Sequence, residues 1–262
     1  MAGRISGNPS VKQSEPDNPM SAPNSAGQPP GLSSAQILEL TVRGCHAAKD
    51  SADALLDGLK TGSNESLEAV RKYEEELDRL DHEINNGVTT LIPSISSEVQ
   101  ARELLACLKF IIELERIGDL LLNVVNRFRA VSGRVDSHDL GELVTMTSIV
   151  AGMIGNATEA FIKRDVARAL VVLGDDAELD RLRNLMIVRH VENPERQPIR
   201  ESYHLVTISQ TLERAGDHAK NLAEETCHLV TGRSVRHVLR AYDRSVEQGF
   251  VERLRKTITA KS

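Results

Sequence analysis

Apolar residues along most of this chain recur at the three- and four-residue spacing of amphipathic helices. The first such stripe begins at Ile37 and predicts a helix that ends at Gly62, since glycine is common just past helix C-termini. The next stripe predicts a helix from about Leu67 to Ile84. We expect this second helix to end at Asn86-Gly87, because that dipeptide is typical of turns.

Four further helices follow from the same pattern. Ser97 is expected to cap the third helix, because Gln100 follows it at capping-box spacing, and Gly133 is the expected end of that helix. The remaining three helices are predicted to begin at Asp136 or Ser137, at Asp165 and at Asn193-Pro194. The chain has no Trp and only 3% aromatic residues, which also favours an all-α fold.

Two short sequences recur in the same order, on the second and third predicted helix of each half. ELDRL at residues 76–80 recurs at residues 178–182, and LERIGD at 114–119 is matched by LERAGD at 212–217. The offsets are 102 and 98 residues, which indicates an internal duplication. We therefore predict two tandem three-helix bundles related by duplication, over residues 33–133 and 136–232.

The two ends of the chain differ in composition from these repeats. Residues 1–32 hold six of the nine prolines among Ser, Gly, Asn and Gln, and predict a disordered tail. Residues 233–262 carry eight Arg and Lys against three acids, with a spaced apolar stripe that includes Val238 and Phe250. This basic segment is compatible with a helix that docks on a partner or an anionic membrane surface, but a frayed, solvated tail is the favoured interpretation.

Charge and cysteine usage exclude several classes of function. The net charge of −6 gives no overall basic field of the kind that indicates nucleic acid as a partner. Charged residues interrupt the apolar runs before they reach the length of a transmembrane segment, and no signal-peptide pattern opens the sequence. The distant cysteines Cys45, Cys107 and Cys227 are interpreted as buried residues rather than disulfide partners. We expect a soluble, cytoplasmic protein.

The candidate chemistry lies in acidic residues four positions apart, which are neighbours on one face of a helix. Glu115 and Asp119 are predicted to share the face of apolar residues such as Ile111, and three of the four pairs are expected to be poorly solvated. Carboxylates in such positions need a cation or several hydrogen-bond donors. The predicted metal ligands are the four pairs Glu74 and Asp78, Glu115 and Asp119, Asp176 and Asp180, and Glu213 and Asp217.

The motifs LERIGD and LERAGDH, the latter followed by Asn221-Leu222-Ala223-Glu224, resemble the signature helices of the PhoU family. The resemblance covers residues 34–232, and the pairs that begin at Glu74 and Asp176 occupy the places of the family's other acidic motif. In one respect the repeats differ, because Leu120 stands where the second repeat has His218. The two metal sites are therefore not expected to be equivalent.

The resemblance implies antiparallel three-helix bundles whose acidic surfaces bind divalent or trivalent metal ions, including multinuclear clusters of iron, zinc, manganese or magnesium. It implies a homodimeric regulator rather than an enzyme. Such proteins restrain phosphate uptake, and contact the ATPase subunit of the phosphate ABC transporter and a phosphate-sensing histidine kinase at the inner membrane face. Residues expected to lie around the ligands are Arg116, Arg214, His218, Asn221 and Glu224.

Two other functions remain open from the residues. Glu201 with His204 and Glu225 with His228 have the spacing of ferritin-like di-iron ligands, but they lie on one predicted helix, about 36 Å apart, and cannot converge. The second alternative is a metal-free helical adaptor, in which Arg116 and Arg214 neutralise the inward-facing acids.

Overall fold

Six long α-helices make up the described part of the chain in a computed structural model, which describes residues 31–192 and 200–232. Three predicted features lie outside the described residues: residues 1–30 of the predicted tail 1–32, the predicted tail 233–262, and the predicted helix start at Asn193-Pro194. Leu32, at the end of the first tail, is described and packs against the core. The helices are α1 (Ser34–Thr61), α2 (Asn64–Leu91), α3 (Glu98–Arg129), α4 (Ser137–Lys163), α5 (Val166–Ile187) and α6 (Arg200–Thr231). The predicted all-α class is confirmed.

The predicted caps form because their side chains accept hydrogen bonds from otherwise unpaired amides of the first helical turn. Ser97 accepts from the amide of Gln100, and Asp136 and Asp165 do the same at the starts of α4 and α5. At the other end of α1, Gly62 adopts a left-handed conformation with φ of 72°, as expected for a helix stop.

Two predicted helix ends were wrong. Helix α2 continues through Asn86-Gly87 to Leu91 and ends just before Pro93. The glycine serves packing here, because a Cβ atom at position 87 would lie 2.8 Å from Cδ1 of Leu32 and 3.3 Å from Cδ1 of Ile37. Helix α3 ends at Arg129, and Gly133 lies in the short 3₁₀ turn that follows.

The two repeats share one continuous apolar core. Helices α3 and α6 pack along each other, α1 packs against α4, and α2 and α5 each cover the third helix of their own repeat. The rings of Phe110 and Phe161 stack with centroids 4.0 Å apart and so join α3 to α4. Each signature helix is thereby held between its acidic partner helix and the other repeat.

By length and composition alone, α4 would be long and apolar enough to cross a membrane. In the structure this helix packs against α1, α5 and α6, and buries residues such as Met146, Val150 and Phe161. Its apolar character is accounted for by the core of the bundle. The cysteines Cys45, Cys107 and Cys227 are buried and free, as predicted.

Candidate functional site

The acidic pairs of the first repeat meet where α2 and α3 approach most closely. A Cβ atom at Gly118 would lie 2.8 Å from Cδ1 of Leu77 and 3.6 Å from the Cα atom of Glu74. The helices run antiparallel, since Arg129 near the end of α3 pairs with Glu68 near the start of α2 at 2.7 Å. A glycine at this position therefore places the carboxylates that flank it beside those of α2.

Five carboxylates lie near enough there for their charges to act on one another, and we call them the α2–α3 acid group: Glu74, Asp78, Asp81, Glu115 and Asp119. Partial burial raises the pKa of Glu115, and the negative charges of Asp119, Asp81 and Asp78 raise it further. The pKa of Glu74 is raised by burial and then by Asp119 and Asp78. The group thus contains the predicted ligands Glu74, Asp78, Glu115 and Asp119 together with Asp81.

The arginines of α2 and α3 form their ion pairs with acids outside this group. Arg79 pairs with Glu76 and Glu83, while Arg116 lies 3.6 Å from Glu113. Among the residues described by the structure, no Lys or Arg forms an ion pair with a member of the α2–α3 acid group. Arg116 therefore forms no ion pair with these acids, although its charge slightly offsets the effects that raise the pKa of Glu115. A group of carboxylate oxygens is suited to a hard cation such as Mg²⁺ or Mn²⁺.

Sequence reasoning missed two residues of this site, Asp81 and His82. The Nδ1 atom of His82 lies 3.0 Å from the carbonyl oxygen of Asp78. That contact raises the pKa of His82, and the charges of Asp78, Asp81 and Glu115 raise it further. Both residues follow Asp78 at the three- and four-residue spacing that keeps them on its helix face, and this was the signal available in the sequence.

The expected burial of the acids was wrong in part. Glu74 and Glu115 are half-buried, but Asp119 is exposed and the side chain of Asp78 is 62% exposed. The buried face of α3 is centred on Leu114, Ile117 and Leu121, so the acids lie at its edge. The α2–α3 acid group consequently borders solvent, where an ion can enter.

The second repeat has the same close contact between its second and third helices, but its acidic residues do not leave the same uncompensated negative charge. A Cβ atom at Gly216 would lie 2.5 Å from Cδ2 of Leu179, and the corresponding distance from Gly118 to Leu77 in the first repeat is 2.8 Å. Here, however, Nη2 of Arg183 lies 3.3 Å from Oδ1 of Asp180 and 3.6 Å from Oε1 of Glu213. Of the other two predicted ligands, Asp217 is exposed, and the side chain of Asp176 lies outside the description.

Two of the residues expected around the second site serve the contact between the repeats instead. His218 Nδ1 lies 2.6 Å from Oε2 of Glu113 on α3, and the same oxygen accepts a hydrogen bond from Asn221 at 2.9 Å. Burial opposes ionisation of Glu113, but these hydrogen bonds and the charges of His218 and Arg116 outweigh it and lower its pKa. Glu224 is half-buried on the same helix.

A cleft of about 500 Å³ lies between α3 and α6 beside this contact. Arg214 is exposed along it and forms no ion pair within the described ranges. Asp119 belongs both to the cleft and to the α2–α3 acid group, so the acid group opens toward the junction of the repeats. The cleft is lined by Arg116, Asp119, Leu120, Asn123, Arg214 and His218.

A third cluster has ligand types that suit a metal ion but is filled by an arginine. One atom each from His138, Asp139 and Glu142 lie within 4.8 Å of one another. Nη1 of Arg189 is 3.0, 2.9 and 2.7 Å from these three side chains, and His190 Nε2 lies 3.1 Å from Asp139. Arg189 and His190 reach α4 from a π-helical turn, Val188–Glu192. The guanidinium takes the central position, so we interpret the cluster as structural.

The two Glu-x-x-His motifs both lie on α6. Glu201 pairs with Arg134 at 3.0 Å and Glu225 with Lys109 at 3.0 Å, in separate parts of the molecule. Their separation along one helix, about 36 Å, does not allow one di-iron centre.

Comparison with known proteins agrees with the duplicated architecture. The chain is 30% identical to a phosphate-specific transport system accessory protein PhoU homolog of Zymomonas mobilis, over 71% of this chain and 81% of that protein. The homolog from Clostridium acetobutylicum is 24% identical, over 75% and 91%. The crystal structure of PhoU from Pseudomonas aeruginosa has the same fold, with a TM-score of 0.69, 22% identity, and coverage of 76% and 97%.

A structure of the phosphate transport system regulatory protein PhoU from Streptococcus pneumoniae also superimposes, with a TM-score of 0.67 at 16% identity, over 77% of this chain and 97% of that one. The PhoU domain profile matches residues 42–128 and 143–226, once in each repeat. Since the match includes both signature helices and most of the described chain, this protein belongs to the PhoU family.

Proposed function

We propose that this chain is a metal-binding accessory protein of a phosphate-specific transport system, which restrains phosphate uptake when phosphate is plentiful. Family membership supports the phosphate-related role, since the curated relatives bear that name. The observation that carries the metal-binding part is the α2–α3 acid group, five carboxylates that form no ion pair with Lys or Arg among the described residues. Their nearest basic neighbour is His82, whose Nδ1 atom lies 3.5 Å from Oδ1 of Asp78.

The chemistry of the donors suits a cation, because all five are carboxylates. Burial raises the pKa values of Glu74 and Glu115, and their negatively charged neighbours raise them further. A bound divalent or trivalent ion would remove that repulsion. A bound ion would neutralise part of the negative charge that Glu74, Asp78, Glu115 and Asp119 hold close together. Iron, zinc, manganese and magnesium are the candidates, and carboxylate oxygens favour the harder ions among them.

We propose that the protein acts by contact with other proteins rather than by catalysis. Its proposed partners are the ATPase subunit of the phosphate ABC transporter and a phosphate-sensing histidine kinase, with a second copy of the chain in a homodimer. This places it in the cytoplasm, in peripheral contact with the inner membrane face. The domain limits proposed for the two repeats are 33–133 and 136–232, with tails on either side.

Elemental analysis of the purified protein tests the metal site. We expect bound metal in the wild-type protein and its loss in Glu115→Gln with Asp119→Asn. The matched control is Glu39→Gln with Asp50→Asn, which removes two exposed acids of α1 and should retain the metal. Equal metal content in all three proteins, or none after incubation with Mn²⁺, Zn²⁺ and Fe²⁺, would favour the metal-free adaptor.

Phosphate uptake in cells that lack the protein tests its regulatory role separately. We expect uptake to continue at high external phosphate without the chain, and to be restrained again by the wild type and by the Glu39→Gln, Asp50→Asn control. Failure of the Glu115→Gln, Asp119→Asn variant to restore restraint would connect the acid group with regulation. Unchanged uptake in the absence of the protein would contradict the proposed pathway.

A further inference from the structure

The two repeats differ in charge at one aligned position of their acidic helices. The repeated ELDRL sequence is followed by Asp81 in the first repeat and by Arg183 in the second. The aligned residues therefore differ by two units of charge at the place where α2 meets α3 and α5 meets α6.

Arg183 lies in the groove between α5 and α6. Its Nη2 atom contacts one carboxylate of each helix, Asp180 at 3.3 Å and Glu213 at 3.6 Å. The side chain is only 28% exposed, and its Nε atom is covered without a hydrogen-bond partner. Because a guanidinium stays charged at any physiological pH, a permanent cation is placed between two of the acids that the family resemblance assigns to metal.

Asp81 has the opposite effect in the first repeat. Its charge adds to that of Asp78 and Asp119 around Glu115, and its own Oδ1 accepts a hydrogen bond from Asn85 at 2.8 Å. Arg79 and Arg116 form their ion pairs with other acids, Glu76 and Glu113. The charge of Arg116 reaches Glu115 without an ion pair, and its effect on the pKa of Glu115 is smaller than those of burial and the neighbouring acids. The first groove consequently keeps its negative charge, whereas the second is already neutralised in part by its own side chain.

We propose that Arg183 acts as the built-in cation of the second repeat, so that metal binds only to the first. This inference rests on the proposed metal-binding function and refines it. The duplicated fold keeps two acidic grooves, but only the groove of the first repeat binds metal. Metal occupancy would then affect the α2–α3 contact alone, while the α5–α6 contact stays fixed by an ion pair that no chelator removes.

Titration of metal-free protein with Mn²⁺, followed by calorimetry and by counting bound Mn²⁺, locates the binding. Glu115→Gln with Asp119→Asn should abolish binding, whereas Glu213→Gln with Asp180→Asn should leave the number of bound ions unchanged. A loss of about half of the bound Mn²⁺ in the second variant would overturn the inference but not the proposed function. No Mn²⁺ bound by the wild type would overturn both.

Exchange of the two aligned residues gives the positive test. Arg183→Asp should add binding at the second repeat and so double the number of bound ions, while Asp81→Arg should remove binding from the first. Arg183→Gln provides a milder form that removes the guanidinium without adding an acid, and circular dichroism checks that each variant is folded. An unchanged number of bound ions in folded Arg183→Asp would overturn the inference.

Discussion

The side chain of Leu77 on α2 packs directly over Gly118 of α3, so that a Cβ atom on the glycine would lie 2.8 Å from Cδ1 of Leu77. Leu77 is fully buried, and the contact recurs between Leu179 and Gly216. The repeated leucine and glycine therefore form one interlocking contact in each half. The acidic residues of both helices flank it, so helix spacing and carboxylate spacing are set together.

Gly118→Ala tests this contact. Overpacking costs about 1–3 kcal/mol, and the better helix propensity of Ala returns up to about 1 kcal/mol. We expect a net loss of about 1–2 kcal/mol in the free energy of unfolding, measured by urea denaturation. Gly152→Ala on α4 is the control, because Gly152 has no atom within 4 Å of its added Cβ. That change should stabilise the protein by about 0.5–1 kcal/mol, and equal effects of both changes would contradict the packing argument.

Glu113 makes the contact between the repeats dependent on pH. Its pKa is lowered in the folded protein, because hydrogen bonds from His218 and Asn221 outweigh burial. Its stabilising contribution is therefore present above its ordinary pKa, near 4.5, and is lost as the pH falls through the lower folded value.

Glu113→Gln should consequently reduce the free energy of unfolding by about 1–2 kcal/mol at neutral pH. The difference from the wild type should shrink as the pH falls below about 4.5. Urea denaturation of both proteins, from neutral pH to below pH 4.5, measures this difference in the free energy of unfolding. A difference that stays constant with pH would show that the carboxylate charge is not what stabilises this contact.

Arg189 is expected to be essential for stability. Its guanidinium contacts Asp139 and Glu142, and the side chain of Asp139 is only 2% exposed. Arg189→Met would leave a buried carboxylate with less compensation, and should cost about 3–5 kcal/mol in the free energy of unfolding. The control is Arg181→Met, whose ion pair with Glu178 is exposed and should matter by less than about 1 kcal/mol. If thermal denaturation showed equally small losses of stability for Arg189→Met and Arg181→Met, the Arg189 cluster would be dispensable.

Helix class, the duplication and most of the caps could be predicted from the sequence, because each depends on local chemistry. Ser97 and Asp165 cap their helices through amides only three residues away. The role of Gly87 could not be predicted in this way. This glycine leaves room for the side chain of Leu32, which is distant in the sequence. Periodicity likewise placed Glu115 and Asp119 on the apolar face, but their exposure depends on the exact direction in which α3 faces its neighbours.

The partners of the acids depend on which side chains meet across helices. Sequence reasoning suggested Arg116 and Arg214 as neutralising residues, whereas the structure gives this role to Arg183 in the second repeat. His218 was assigned to the metal site but hydrogen-bonds Glu113 of the other repeat. The difference between Asp81 and Arg183 was visible in the sequence, since they follow the two copies of ELDRL, but only the antiparallel pairing of helices shows that it lies at the site.

The raised pKa values of Glu74 and Glu115 predict how pH and cations together control stability. Burial and neighbouring negative charges raise both pKa values above the ordinary 4.5. The folded protein therefore holds these protons more tightly than the unfolded chain, and the associated stability is lost as the pH rises from about 4.5 through the folded values. Without a cation, this repulsion persists at neutral pH.

Glu74→Gln with Glu115→Gln should therefore be more stable than the wild type at neutral pH in the presence of EDTA, by a few tenths of a kcal/mol for each like-charge pair relieved, or about 1 kcal/mol in total. Saturating Mn²⁺ should reverse the order, because only the wild type gains binding free energy, about 2.7 kcal/mol at 100 times the Kd. Thermal denaturation of both proteins with EDTA and with Mn²⁺ measures the effect, and Glu39→Gln with Asp50→Asn should follow the wild type. If Mn²⁺ raised the Tm of both proteins equally, the carboxylates of the α2–α3 acid group would not be where the ion binds.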